Sequence, residues 1–124
     1  MATSKGQRFD LEQRTLAFAK ACRAFVKQLP RTVANEEDAR QLIRSSGSVG
    51  ANYIEANESL SKKDFRLRAK ICRKEAKESA YWLSLLYVGD DADLEAECDS
   101  LRQEARELTS IFGAIVRKTS PGVG

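Results

Sequence analysis

Six cations recur along one stretch of the chain: Lys63, Arg66, Lys70, Arg73, Lys74 and Lys77. At 100° per residue they fall within about 100° of one another, so a helix over this stretch carries them as a single stripe. The chemistry open to such a stripe is electrostatic. Ammonium and guanidinium groups neutralise phosphate oxygens, and a row of them engages a nucleic-acid backbone without reading its bases. The same row also serves as a plain solvated face, with Glu75 and Glu78 nearby to offset part of its charge. The stripe offers no aromatic platform for single-stranded bases, so sequence-specific RNA recognition is not expected and any binding is backbone-driven and salt-sensitive.

Other chemistry is harder to build from these residues. The chain has no histidine, which removes the commonest general base and the commonest metal ligand. The Glu-x-x-His pairs of a carboxylate-bridged di-iron bundle are therefore excluded. Asp90, Asp91 and Asp93 lack the glycine and distal glutamate of a calcium loop and read as helix capping. Gly47 and Gly50 follow no strand and precede no Lys-Ser/Thr, so they are not a phosphate-binding loop. Cys22, Cys72 and Cys98 form no C-x-x-C pair and fall on apolar stripes, where a free cysteine acts as a small hydrophobe. No catalytic residue, cofactor or metal is expected, and an enzyme of small molecules is the weakest reading.

The elements that must position the cationic stripe follow from spacing. The chain has 124 residues, 42% of them hydrophobic and 31% charged, with 7 Gly and 2 Pro, a balance that suits one helix-rich domain. The first helix is expected over about 10–29, with Asp10 as N-cap and Leu11, Phe18, Cys22, Phe25 and Leu29 on one stripe before Pro30. The second, about 36–58, opens after Asn35 and turns Leu42, Ser46, Val49 and Tyr53 inward. It crosses Ser45-Ser46-Gly47-Ser48-Val49-Gly50-Ala51, which propensity alone makes a loop. The spacing continues past it, and small residues let a neighbour approach closely, so helix is preferred. The third, about 62–88, has Ser61 as N-cap, with Leu60 and Phe65 as the two ends of a hydrophobic staple. The fourth, about 91–117, carries Leu94, Cys98, Leu101, Ala105, Leu108, Phe112 and Ile115 in steps of four and three. Residues 1–119 then form a single domain, an antiparallel up-down-up-down four-helix bundle, and 120–124 a disordered tail.

Net charge alternates in sign along the four helices, so the overall +3 and the pI of 8.8 average over opposed surfaces. The three cysteines suit a reducing cytosol. The polar N-terminus and the lack of any long apolar run point to a protein that is neither exported nor membrane-spanning.

The third helix has one face more than a bundle requires. Leu67, Ile71, Trp82 and Leu85 lie more than a third of a turn from its core stripe and have no intramolecular task in a four-helix arrangement. Such a face marks an interface, with Trp82 as its anchor, and predicts a homo-oligomer. The other reading makes this helix more central in the bundle. The basic stripe lies beside this face, where it serves RNA, DNA or a nucleoprotein, or else an acidic surface on a protein partner.

The run from Arg44 to Ala56, Arg-Ser-Ser-Gly-Ser-Val-Gly-Ala-Asn-Tyr-Ile-Glu-Ala, is followed by Ser61-Lys62-Lys63-Asp64-Phe65 and by Glu75-Ala76-Lys77-Glu78-Ser79-Ala80-Tyr81-Trp82-Leu83. Together they resemble the bacterial four-helix bundle family first described as encoded by intervening sequences in 23S rRNA genes. The resemblance is dense over about residues 40–87 and implies helix through Gly47 and Gly50. It further implies a barrel-like homopentamer in the bacterial cytoplasm. A related branch comprises accessory proteins of diversity-generating retroelements, which engage a reverse transcriptase and nucleic acid. The chain is more similar to the general branch, although Tyr53-Ile54-Glu55-Ala56 replaces the Ile-Ala-Glu-Gly of many of its members.

Overall fold

The computed structural model describes the backbone of residues 5–120, with side chains from Asp10 onward. Four helices account for most of it: α1 (Lys5–Val26), α2 (Val33–Asn57), α3 (Lys62–Leu85) and α4 (Ala92–Lys118). No strand occurs among the described residues.

α1 begins before the expected cap at Asp10 and ends at Val26, where the N–H groups of Gln28 and Leu29 close a turn onto Phe25 and Val26. Pro30, which has no N–H to donate, follows that turn. α2 starts earlier than Asn35, because Thr32 takes the capping role and its side chain accepts from the Asn35 N–H. Asn35 is freed for other work and is buried. Its amide Nδ2 donates to the carbonyls of Pro30 and Tyr87 (both 2.9 Å), and its Oδ1 accepts from the Tyr87 N–H at 3.0 Å. One side chain thus satisfies backbone groups of two connectors that a helix end would otherwise leave unpaired.

Ser61 caps α3 as its position demands, accepting from the Asp64 N–H. The expected staple does not close, since Leu60 is 99% exposed. α3 stops at Leu85, short of 88: Leu86 turns to extended backbone, and Gly89 takes a φ of 70°, a conformation that costs glycine little. Asp91 caps α4 by accepting from the Leu94 N–H. Residues 121–124 of the expected tail lie outside the described residues.

The helix crosses the stretch 45–51 without a break. The reason is packing against α1. Thr15 Oγ1 stands 2.8 Å from where a Cβ at Gly50 would lie, and Arg23 reaches over Gly47. At Gly50 this close approach outweighs the roughly 1 kcal/mol that a glycine gives up in helix propensity.

All four helices feed one core. Phe18, Cys22 and Phe25, then Leu42, Val49 and Tyr53, then Cys72, Ala76 and Leu83, then Ala105, Leu108 and Phe112 are buried together. Tyr53 meets Phe112 edge to face at 5.5 Å between ring centres, a geometry aromatic pairs favour. The expected inward stripes are largely buried, with Leu29, Phe65 and Ile115 half-buried at the margins. α3 packs against both α2 and α4, and α1 leans mainly on α2. Between α1 and α4, Arg14 donates to Glu104 and Glu107. Along α2 and α3, Asn35 meets Tyr87 just past the end of α3, Ser45 meets Ser79 at 2.8 Å, and Asn52 meets Arg68.

Candidate nucleic-acid interface

α3 holds the six cations because its rigid 100° step, set by the Ser61 cap, fixes them relative to the buried Ala69, Cys72, Ala76 and Leu83. Lys63, Lys70, Arg73, Lys74 and Lys77 are exposed, and Arg66 is half-buried. The charge arrangement around them differs from a simple mixed surface. Glu75 and Glu78, the acids expected to offset the stripe, turn the other way: both lie beside Arg44 of α2, at 3.5 and 3.6 Å. Among the described residues, no carboxylate lies within ion-pairing distance of any of the six cations.

The dipole of α3 does not account for this cluster either. Lys62, Lys63 and Arg66 stand at or near the N-terminal turn, where the helix already presents partial positive charge and only Asp64 is favourably placed. Cations there are unfavourable by some tenths of a kcal/mol each. The result is a row of like charges, partly at the unfavourable helix end, with no ion-paired carboxylate among the described residues.

The other candidate residues divide. Leu67 and Leu85 are 56% and 47% exposed, and Ile71 is half-buried. Trp82, expected as the interface anchor, is half-buried and packs against the core. α3 lies between α2 and α4, so the tryptophan has an intramolecular neighbour that a helix-by-helix wheel does not supply. Its indole Nε1 is buried with no hydrogen-bond partner among the described residues. Tyr81 was not singled out by sequence reasoning, yet it stands 59% exposed and meets Trp82 edge to face at 5.2 Å. It lies four residues beyond Lys77, so the cationic face does end on an aromatic ring, contrary to the expectation of none. Its i+4 spacing was the signal that could have found it.

Among the described residues no group of three or more metal-ligating side chains converges. The three cysteines are buried and free. Burial pushes the thiols of Cys22 and Cys72 up to about 12, and that of Cys98 upward as well, so at neutral pH none is a ready nucleophile. No described helix is long and apolar enough to cross a membrane.

These features define an all-α four-helix protein whose most distinctive surface is a cation-rich face of its third helix. The chain belongs to the 23S rRNA-intervening sequence protein family, whose model matches residues 7–114. It is also similar to a crystal structure of a protein of unknown function from the S23 ribosomal protein family of Bacteroides thetaiotaomicron. The two share 27% identity and a TM-score of 0.72, over 89% of this chain and 97% of that one. Among curated proteins nothing matches.

Proposed function

We propose that the chain is a non-enzymatic, cytoplasmic scaffold: an antiparallel up-down-up-down four-helix bundle that assembles as a ring-like homo-oligomer and holds a nucleic-acid backbone on α3. The antiparallel order is supported by contacts that run in opposite directions along α2 and α3, from Asn35 with Tyr87 to Asn52 with Arg68. Assembly is supported by the exposed Leu67 and Leu85, and a pentamer is what the family resemblance implies. The binding role rests on one observation above the others: Glu75 and Glu78 are drawn to Arg44, leaving Lys63, Arg66, Lys70, Arg73, Lys74 and Lys77 without carboxylate partners among the described residues.

Fluorescence anisotropy with labelled RNA and DNA over a salt series tests this reading. Log affinity falls steeply and linearly with log salt when phosphates are neutralised. Joint charge reversal of Arg66, Lys70, Arg73 and Lys77 abolishes binding while circular dichroism stays helical; no binding by the wild type near physiological salt would end the nucleic-acid reading. A second reading, an adaptor for an acidic protein surface, draws on the apolar Leu67, Tyr81 and Leu85 beside the cations. Light scattering of the wild type and of Leu85→Glu tests the assembly, and a monomeric wild type overturns it.

A further inference from the structure

α4 meets the cationic edge of α3 at a glycine. A Cβ at the buried Gly113 would stand 3.4 Å from Arg117 Nη1 and 3.6 Å from Arg73 Cδ. Two arginines from different helices therefore come together over one point of bare backbone. Neither has a carboxylate within ion-pairing distance among the described residues. This glycine differs from Gly50, whose missing side chain is required by Thr15 of the neighbouring helix. At Gly113 the neighbours among the described residues are two long arginine side chains at ordinary contact distance, so the roughly 1 kcal/mol of lost helix propensity has no counterpart in a tight core contact.

Helical spacing places further arginines along the α3–α4 boundary in both directions. Arg106 lies seven residues before Gly113 and hence on the same side of α4, exposed. On the α3 wall, Arg66 lies seven residues before Arg73, and its Nε is buried with no hydrogen-bond partner among the described residues. A guanidinium donor removed from water and left unpaired costs free energy that an anion would return. Both walls of the α3–α4 groove thus present arginine, the side chain whose planar fork matches phosphate oxygens in pairs.

We propose that the α3–α4 groove over Gly113 is an oxyanion seat in which Arg73 and Arg117 together clamp a phosphate group, with Arg66 and Arg106 extending the track. The seat deepens the nucleic-acid reading above and rests on it for the source of the phosphate, a backbone phosphodiester. It moves the binding surface from one helix to the cleft between two, and adds Arg117 and Arg106 to the residues that carry it.

The test is a double-mutant cycle with Arg73→Gln, Arg117→Gln and their combination, and Lys20→Gln on α1 as an exposed control. Each is titrated with labelled single-stranded RNA across a KCl series, and arginine Nε signals are followed by NMR during addition of inorganic pyrophosphate. The expected result is that each single variant weakens RNA binding and the double variant reduces the log–log salt slope by about 1, for the one phosphate the two arginines share. The double variant loses less affinity than the two singles combined, because they hold one group, and Lys20→Gln is unchanged. Wild-type binding to RNA that survives both substitutions overturns the seat and leaves the nucleic-acid reading standing. Pyrophosphate shifts at Arg73 and Arg117 without RNA binding support the seat and overturn the backbone as its source. Absence of both responses overturns both.

Discussion

Thr15 Oγ1 occupies the space next to Gly50, 2.8 Å from where a side chain on that glycine would begin, while donating its proton to the Leu11 carbonyl. The contact fixes how closely α1 can rest on α2. Gly50→Ala gains about 1 kcal/mol of helix propensity but forces a methyl against both Thr15 Oγ1 and its Cβ, at 2.8 and 3.2 Å. Overpacking of this kind costs about 1–3 kcal/mol, so the variant melts lower than the wild type by several degrees. Calorimetry of Gly50→Ala alone and combined with Thr15→Ala, which removes the Oγ1 standing nearest the new methyl, checks the origin: the second change restores part of the loss.

Gly113→Ala has the opposite sign. Its new methyl would meet Arg117 Nη1 at 3.4 Å and Arg73 Cδ at 3.6 Å, ordinary van der Waals distances that require no neighbour to shift. Stability rises by about 0.5–1 kcal/mol, seen as a higher denaturant midpoint with an unchanged slope. A lower midpoint would mean that the two arginines are fixed parts of the fold.

The sequence made the helices legible because each buries a stripe at helical spacing, and Ser61 and Asp91 announce their caps. It misled where a residue's partner lies far along the chain. Asn35 has the chemistry of a cap, but its amide is taken by Tyr87, 52 residues away, and Thr32 caps instead. Glu75 and Glu78 look like counter-charges for their own helix until Arg44 is brought beside them. Trp82 looks spare on a wheel that omits neighbouring helices. Arg117, in the last turn of α4, reads as a helix-dipole cation; its i,i+4 spacing puts it over Gly113, but only the α3–α4 contact brings Arg73 beside it. The cationic stripe itself was legible, whereas the pull of Glu75 and Glu78 towards Arg44 was a property of the tertiary structure.

The buried thiols give an alkaline limit to stability. Burial lifts Cys22 and Cys72 to about 12 in the folded protein, against about 8.5 for an exposed thiol. Because the folded values are raised, this contribution is whole below the unfolded value and is lost as pH rises from there through about 12. Urea midpoints measured at rising pH decline across this window, and Cys72→Ala declines less steeply than the wild type. Ellman's reagent at pH 8 labels the native chain far more slowly than the urea-unfolded chain, which reacts at all three cysteines. Rapid labelling of the native protein would contradict the burial.

Arg14 sets the acid limit between α1 and α4. It donates to Glu104 at 2.7 and 2.9 Å and to Glu107 at 2.8 Å, and these hydrogen bonds, that to Glu104 above all, hold its guanidinium charged well beyond the ordinary range. Glu107 is held below the usual glutamate range by the Gln103 amide first and by Arg14 second. A depressed folded-state value means that its contribution is present above about pH 4.3, the ordinary glutamate value, and is lost as pH falls through the folded one. Glu107→Gln therefore lowers the denaturant midpoint near neutral pH and flattens its fall on acidification. The pair is exposed, so the difference is small and shrinks as salt is added. Parallel pH profiles for wild type and variant at low ionic strength would show that Arg14 draws its support from Glu104 alone.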